Sequence, residues 1–157
     1  MKKQLYLLVI FSLFSFALTG QKNVPATIKM KDGTAIEIHH FGKLTCESNP
    51  YAETYTTVRG KYNQSPTEIK EYSNIKQLVL EGFTEPPMRA AGNQKGAITV
   101  IRKNGVNVTL EDAELVMSCY GAGELFNQIK VQVINPLTDE AVEQTLHVRE
   151  IVSVTFK

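Results

Sequence analysis

The sequence predicts an all-β protein. Apolar and polar residues alternate over residues 26–31 and 128–134, which is the pattern of strands with one buried face. Asp32-Gly33 and Asn104-Gly105 each separate two such runs, and these dipeptides favour the tight turn of a β-hairpin. Outside the N-terminal segment, no stretch repeats apolar residues at helical spacing. The chain is therefore expected to consist of strands and turns.

Residues 1–20 have the pattern of a bacterial-type signal peptide. Lys2-Lys3 precede an uncharged apolar run from Leu5 to Leu18, and the small residues Thr19-Gly20 follow it. The run is shorter than the roughly 20 residues that a membrane-spanning helix needs. The sequence therefore predicts cleavage near Gly20, a periplasmic or secreted protein, and no membrane span in the mature chain.

The charge of the mature chain bears on its partners. Removing the two N-terminal lysines takes the formal net charge from +1 to −1. Binding to nucleic acid or to anionic lipid depends on lysine and arginine neutralising phosphate charge. A nearly neutral chain is expected to have no nucleic-acid partner.

The mature chain is predicted to contain one unit twice. At an offset of 72, Lys31-Asp32-Gly33 falls on Lys103-Asn104-Gly105, and at an offset of 73, Leu44-Thr45-Cys46 falls on Met117-Ser118-Cys119. Residues 84–96 contain Pro86-Pro87 and several glycines, as linkers do. The predicted division is module 1 at 21–83, a linker at 84–96, and module 2 at 97–157.

The change of offset predicts a β-bulge in module 2. The inward-facing apolar residues change parity at Glu111-Asp112, and one extra residue reverses the buried face of a strand unless a bulge absorbs it. In module 1, Ile36, Ile38, Leu44 and Cys46 keep one parity, so no bulge is expected there.

Each module resembles the small SH3-like or Sm-like barrels. The resemblance rests on an apolar strand, an Asp/Asn-Gly turn, a long bent strand, two more strands and a closing segment such as Ile75-x-x-Leu78-x-Leu80. It covers roughly 24–83 and 97–157. It implies two tandem barrels, with a single helical turn at Asn74–Gln77 and at His147–Glu150. The Arg-Gly pair of the RNA-binding Sm group is not matched, because Arg59-Gly60 comes too early in module 1.

Cys46 and Cys119 occupy equivalent positions in the two modules. One interpretation is two buried thiols that pack as small apolar residues. The other is a disulfide, because export brings the chain into an oxidising compartment. The cores of two separate barrels would hold the cysteines too far apart for a bridge.

The sequence predicts no catalytic, cofactor-binding or metal-binding residues. His39 and His40 are neighbours on a strand, so only one of them could join His147, and zinc usually takes three or four protein ligands. The acidic run Glu111-Asp112-x-Glu114 is interpreted as a solvated face. No nucleophile or phosphate-binding motif is found.

The candidate binding surface consists of aromatic residues near strand ends, namely Tyr51, Tyr55, Tyr120 and Phe126. Loops on a rigid β scaffold often carry recognition, and aromatic side chains supply contact area. The leading hypothesis is a non-catalytic protein-interaction module whose partner is a protein or a cell-envelope component. The alternative is binding of carbohydrate or a cell-wall ligand, and a third hypothesis is a hydrolytic enzyme.

Overall fold

The computed structural model describes residues 24–41, 43–46, 49–84, 95–119 and 123–157. These residues are mostly strand, which confirms the all-β class. The predicted signal peptide and most of the predicted linker lie outside the described residues. The strands are β1 (Val24–Met30), β2 (Ala35–Phe41), β3 (Lys43–Cys46), β4 (Asn49–Tyr62), β5 (Ser65–Ile69), β6 (Ile75–Glu81), β7 (Gly96–Arg102), β8 (Asn107–Cys119), β9 (Gly123–Phe126), β10 (Gln128–Ile134), β11 (Ala141–His147) and β12 (Ile151–Phe156).

The two predicted hairpins are present. β1 pairs with β2 and β7 with β8, both antiparallel. Gly33 and Gly105 have φ angles of +91° and +87°, which glycine adopts without steric cost. In each turn a side-chain oxygen accepts a backbone N–H two residues on: Asp32 from Thr34 at 2.8 Å, and Asn104 from Val106 at 3.1 Å.

Most of the described strands belong to one sheet, in the order β2-β1-β12-β6-β7-β8-β4-β3. β5 adds to β4 and β9 adds to β8, while β10 and β11 form a separate two-stranded ribbon. β10 also packs against β2. No sheet of the described residues closes into a barrel.

The prediction of two tandem barrels is not confirmed, because strands of the two predicted modules are interleaved in one sheet. β12, the last strand of the chain, lies between β1 and β6. β8 pairs along most of its length with β4. The buried apolar residues of both predicted modules also form a single core. The sequence predicted the strands, but each half of the chain pairs with the other.

The ladders of the two halves correspond residue by residue. The β1–β2 and β7–β8 pairs match at an offset of 72, as in Ala26–Ile38 and Ile98–Leu110. The β1–β12 and β7–β6 pairs also match, as in Ile28–Val154 and Val100–Leu78. Where the halves meet, Leu78 pairs with Val154. The pattern of paired residues is symmetric about the Leu78–Val154 pair, where β6 of the first half meets β12 of the second.

The β-bulge predicted at Glu111-Asp112 is confirmed. Ile98 pairs with Leu110 and Gly96 with Ala113, so two residues of β8 oppose one of β7, and Asp112 has a φ of +47°. Gly60 of β4 lies beside this bulge, where a Cβ would come within 2.9 Å of the Leu110 Cβ. A side chain at Gly60 would push the two strands apart.

The expectation that module 1 lacks a bulge is wrong. Ala26 pairs with Ile38 and Val24 with Phe41, so two residues of β2, His39 and His40, oppose one of β1, as in the bulge of β8. Phe41, which is 2% exposed and faces the core, breaks the parity of Ile36 and Ile38, and the prediction did not take this residue into account.

One of the two predicted helical turns is in place. Residues Val148–Glu150 form a 3₁₀ turn within the predicted 147–150 window. In the first half, β6 already begins at Ile75, and the turn precedes it: the Ile75 N–H donates to the Tyr72 carbonyl at 3.0 Å. The Ile151 N–H donates in the same way to Val148. The predicted 74–77 window was therefore too late in the chain.

Tyr72 is the centre of an aromatic cluster in the core. It is 1% exposed. Its ring centroid lies 5.2 Å from Phe156 in a stacked arrangement and 5.0 Å from Phe41 edge-on. The Tyr72 hydroxyl donates to the Thr56 carbonyl at 2.7 Å. Burial raises the pKa of this phenol, so it stays protonated and remains a donor.

Replacing Tyr72 by phenylalanine tests this hydrogen bond. Tyr72→Phe keeps the packing but leaves a buried carbonyl without its donor, so we expect a loss of about 1–3 kcal/mol in the free energy of unfolding. Urea denaturation measures this loss. The control is Tyr62→Phe, which alters a tyrosine that is 45% exposed and should change stability by less than about 0.5 kcal/mol. Equal stability of Tyr72→Phe and the wild type would contradict the assigned role.

Candidate binding cleft

A cavity of about 310 Å³ opens between the β7–β8 hairpin and the segment that runs from the end of β4 to the start of β6. Its walls come from strands of both halves of the sequence, which the sheet order brings together. Its apolar lining consists of Ile69, Ile75, Val100, Val108 and Leu110. Ile75, Val100 and Leu110 are buried, whereas Ile69 and Val108 are partly exposed and form its accessible surface.

Polar groups surround the apolar lining. They are Tyr62, Thr67, Glu71, Asn74 and Arg102. Glu71 and Arg102 are exposed, and neither makes an ion pair with another described side chain. The Asn74 carbonyl accepts the Lys103 N–H at 2.9 Å, which fixes the segment before β6 to the β7–β8 turn. The cleft therefore presents a carboxylate and a guanidinium beside an apolar floor.

The residue at the position of Arg102 differs in the other half. Met30 occupies the position in β1 that Arg102 occupies in β7, since Met30 pairs with Ile151 as Arg102 pairs with Ile75. Met30 is 8% exposed and belongs to the core. An apolar side chain packs in one half where a charged side chain lies at the surface in the other.

The shape and lining of the cavity are those of a small ligand site. Binding pockets are mostly apolar with a few placed polar groups, and volumes start near 300 Å³. The cavity fits that description at its small end. Its size matches a side chain or a short chain segment better than a large cofactor.

The predicted aromatic surface is only partly described. Tyr51 and Tyr55 lie within β4, and Phe126 ends β9. The backbones of Tyr55 and Phe126 lie on the two strands that flank β8, opposite Ser118 and Val116. Phe126 is partly exposed. Tyr120, and the side chains of Tyr51 and Tyr55, lie outside the described residues.

The backbone register separates the two cysteines. Cys46 of β3 pairs with Asn49 and Cys119 of β8 pairs with Thr54, on opposite sides of β4. Two strand spacings amount to roughly 9.5 Å. A disulfide needs Cα atoms about 4.4–6.8 Å apart. The register therefore favours the interpretation with two free thiols.

The histidines and the acidic run are distributed over the surface. His39 and His40 are both exposed in the β2 bulge, with ring centroids 6.4 Å apart. Asp112 binds the Lys61 ammonium at 2.8 Å, and Glu111 is exposed. No group of three metal-binding side chains is found among the described residues.

A charged cluster around Arg59 joins β4, β5 and β9. The guanidinium donates to Glu68 at 2.8 Å and, with two nitrogens, to Glu124 at 2.8 and 3.1 Å. Lys70 also contacts Glu68, at 2.7 Å. The hydrogen bonds with Arg59 and Lys70 hold the pKa of Glu124 and Glu68 below the usual range. The Arg59 guanidinium thus binds two carboxylates. These contacts explain the position of its side chain and require no phosphate ligand.

The cleft was not predicted from the sequence, although one signal pointed to it. At the offset of 72, Arg102 falls on Met30 at the end of otherwise similar apolar strands. A charged residue aligned with a core residue indicates that the two halves differ in packing at that position.

Neutralising Glu124 should make stability less sensitive to acid. A carboxylate whose pKa is lower in the folded protein than in the unfolded chain stabilises the fold at pH values above the unfolded-state pKa. This contribution is lost as the pH falls through the folded-state pKa. We therefore expect the wild type to lose more stability between pH 7 and pH 3 than Glu124→Gln, measured as thermal midpoints. The control is Glu81→Gln, whose exposed side chain makes no ion pair with a described residue. Parallel pH profiles for all three proteins would contradict the role of the cluster.

The two cysteines should be free thiols. Alkylation of the unfolded protein without reductant is expected to add two groups per chain, because the register places the backbones of Cys46 and Cys119 on opposite sides of β4. Intact mass spectrometry counts the added groups. A mass shift that appears only after reduction would contradict this expectation.

Within the described part of the chain, no helix has the length and apolar character to cross a membrane. Comparison with known proteins gives no match: no protein family, no curated protein and no solved structure is significantly similar to this chain.

Proposed function

We propose that this protein is an exported, non-catalytic interaction module that holds an apolar side chain of a protein partner in the cleft beside Arg102. The observation that carries the proposal is the cleft itself, an apolar cavity of about 310 Å³ with one cation and one carboxylate among its lining residues. Export to the periplasm or the medium is supported by the charge and apolar pattern of residues 1–20.

The proposed scaffold is a duplicated SH3-like unit whose halves are intertwined. The matching ladders support the duplication, since every register feature of β1–β2 recurs in β7–β8. Strands β4 to β8 are contiguous in sequence and would form one unit, over 49–119. Strands β1 and β2 with β10 to β12 would form the other. In this arrangement the cleft lies within the first unit.

The lining favours a protein ligand over a glycan. The floor of the cleft is aliphatic, with Ile69 and Val108 accessible, and an aliphatic floor suits an apolar side chain better than a hydroxylated sugar ring. The exposed Arg102 adds a preference for an acidic group next to the bound apolar side chain.

Selection from a random peptide library tests the proposal. We expect the protein to enrich peptides with an aliphatic residue next to an acidic one, and Val108→Asp to weaken their binding at least tenfold, about 1.4 kcal/mol. The matched control is Val152→Asp, another partly exposed strand valine that does not line the cleft. Arg102→Glu, at an exposed position, tests the charge preference without altering the core.

Two outcomes would contradict the proposed function. One is the absence of any enriched peptide class. The other is that Val108→Asp and Arg102→Glu bind the selected peptides as tightly as the wild type does, while their thermal midpoints equal that of the Val152→Asp control.

A further inference from the structure

The β10–β11 ribbon ends in an exposed apolar tip. Leu137 is 91% exposed, and Ile134 and Val142 are each 46% exposed. The turn that presents Leu137 is fixed by hydrogen bonds, because Asn135 accepts the N–H groups of Leu137 and Asp139, each at 2.9 Å. An exposed leucine on an ordered turn indicates a contact site, since such a side chain gains by burial and loses little freedom on binding.

The tip and the cleft are complementary in polarity. The cleft offers an aliphatic floor of the kind that a leucine side chain fills. Lys103, which is exposed, follows Arg102 at the β7–β8 turn. Asp139 and Glu140 follow Leu137 within the tip and are exposed. An apolar side chain beside two acidic groups would thus face an apolar cleft next to the basic residues Arg102 and Lys103, whose lining also includes the carboxylate of Glu71.

We propose that the cleft of one copy of this protein binds Leu137 of a second copy. Within one chain Leu137 is almost fully exposed, so the tip does not occupy its own cleft. The inference rests on the proposed function of the cleft and names its partner. The contact is heterologous, because tip and cleft are different surfaces, so it produces a closed ring or an open chain of copies according to its geometry.

Sedimentation velocity over a range of protein concentrations tests the proposal. The sample is the chain in the form that the expressing cell produces. We expect the wild type to self-associate, and Leu137→Asp and Arg102→Glu each to sediment as monomers. The matched control is Leu125→Asp, which alters a leucine of β9 that is 43% exposed and belongs to neither the cleft nor the tip, and this variant should associate as the wild type does.

Mixing the two variants gives the sharpest readout. Leu137→Asp retains an intact cleft and Arg102→Glu retains an intact tip, so an equimolar mixture should form a pair of one copy of each and nothing larger. A monomeric wild type, or association that survives Leu137→Asp, would overturn the inference. If the wild type is monomeric but binds library peptides through Val108, the proposed function stands and only its assignment to a second copy fails.

Discussion

The insertion of β12 between β1 and β6 is the constraint on which the rest of the structure depends. Ile28, Val154 and Leu78 lie side by side across these three strands, and each is fully buried. Without β12, both neighbouring strands would expose an unpaired edge and part of the apolar core. These pairs are far apart in sequence, so the chain cannot complete its sheet until its last strand is available.

The aromatic cluster links this sheet to the cleft. Tyr72 packs on Phe156 of β12, and its hydroxyl binds the backbone of β4. Two of its near neighbours in sequence, Glu71 and Asn74, line the cleft. Because a buried ring fixes the backbone between them, the polar rim of the cleft is positioned by the core and not by a free loop. A preorganised rim loses less conformational entropy when a ligand binds.

Local features could be predicted from the sequence, whereas strand partners could not. The turns at Asp32-Gly33 and Asn104-Gly105 and the bulge at Glu111-Asp112 are present as predicted, whereas the matching bulge at His39-His40 was not predicted. The choice of partner strand is not set by neighbouring residues. The apolar alternation of β12 fits β1 as well as it fits β7, because those strands resemble each other. A repeated sequence does not distinguish pairing within a half from pairing between halves. The cleft was missed for the same reason, since its walls come from both halves.

The two halves have the same ladders but differ where function is proposed. β4 and β5 are joined by the two residues Asn63 and Gln64, both at positive φ, so that turn is tight and leaves Tyr62 beside the cleft. The equivalent ribbon, β10–β11, has a longer turn that carries Leu137 into solvent. Conversely, the first half fills its core with Met30 where the second has Arg102. The proposed duplication would account for such divergence, because the ladders of one half maintain the sheet while the other changes its surface. In the proposed contact between two copies, these two differences between the halves form the two sides of one interface: the cleft beside Arg102 and the tip that carries Leu137.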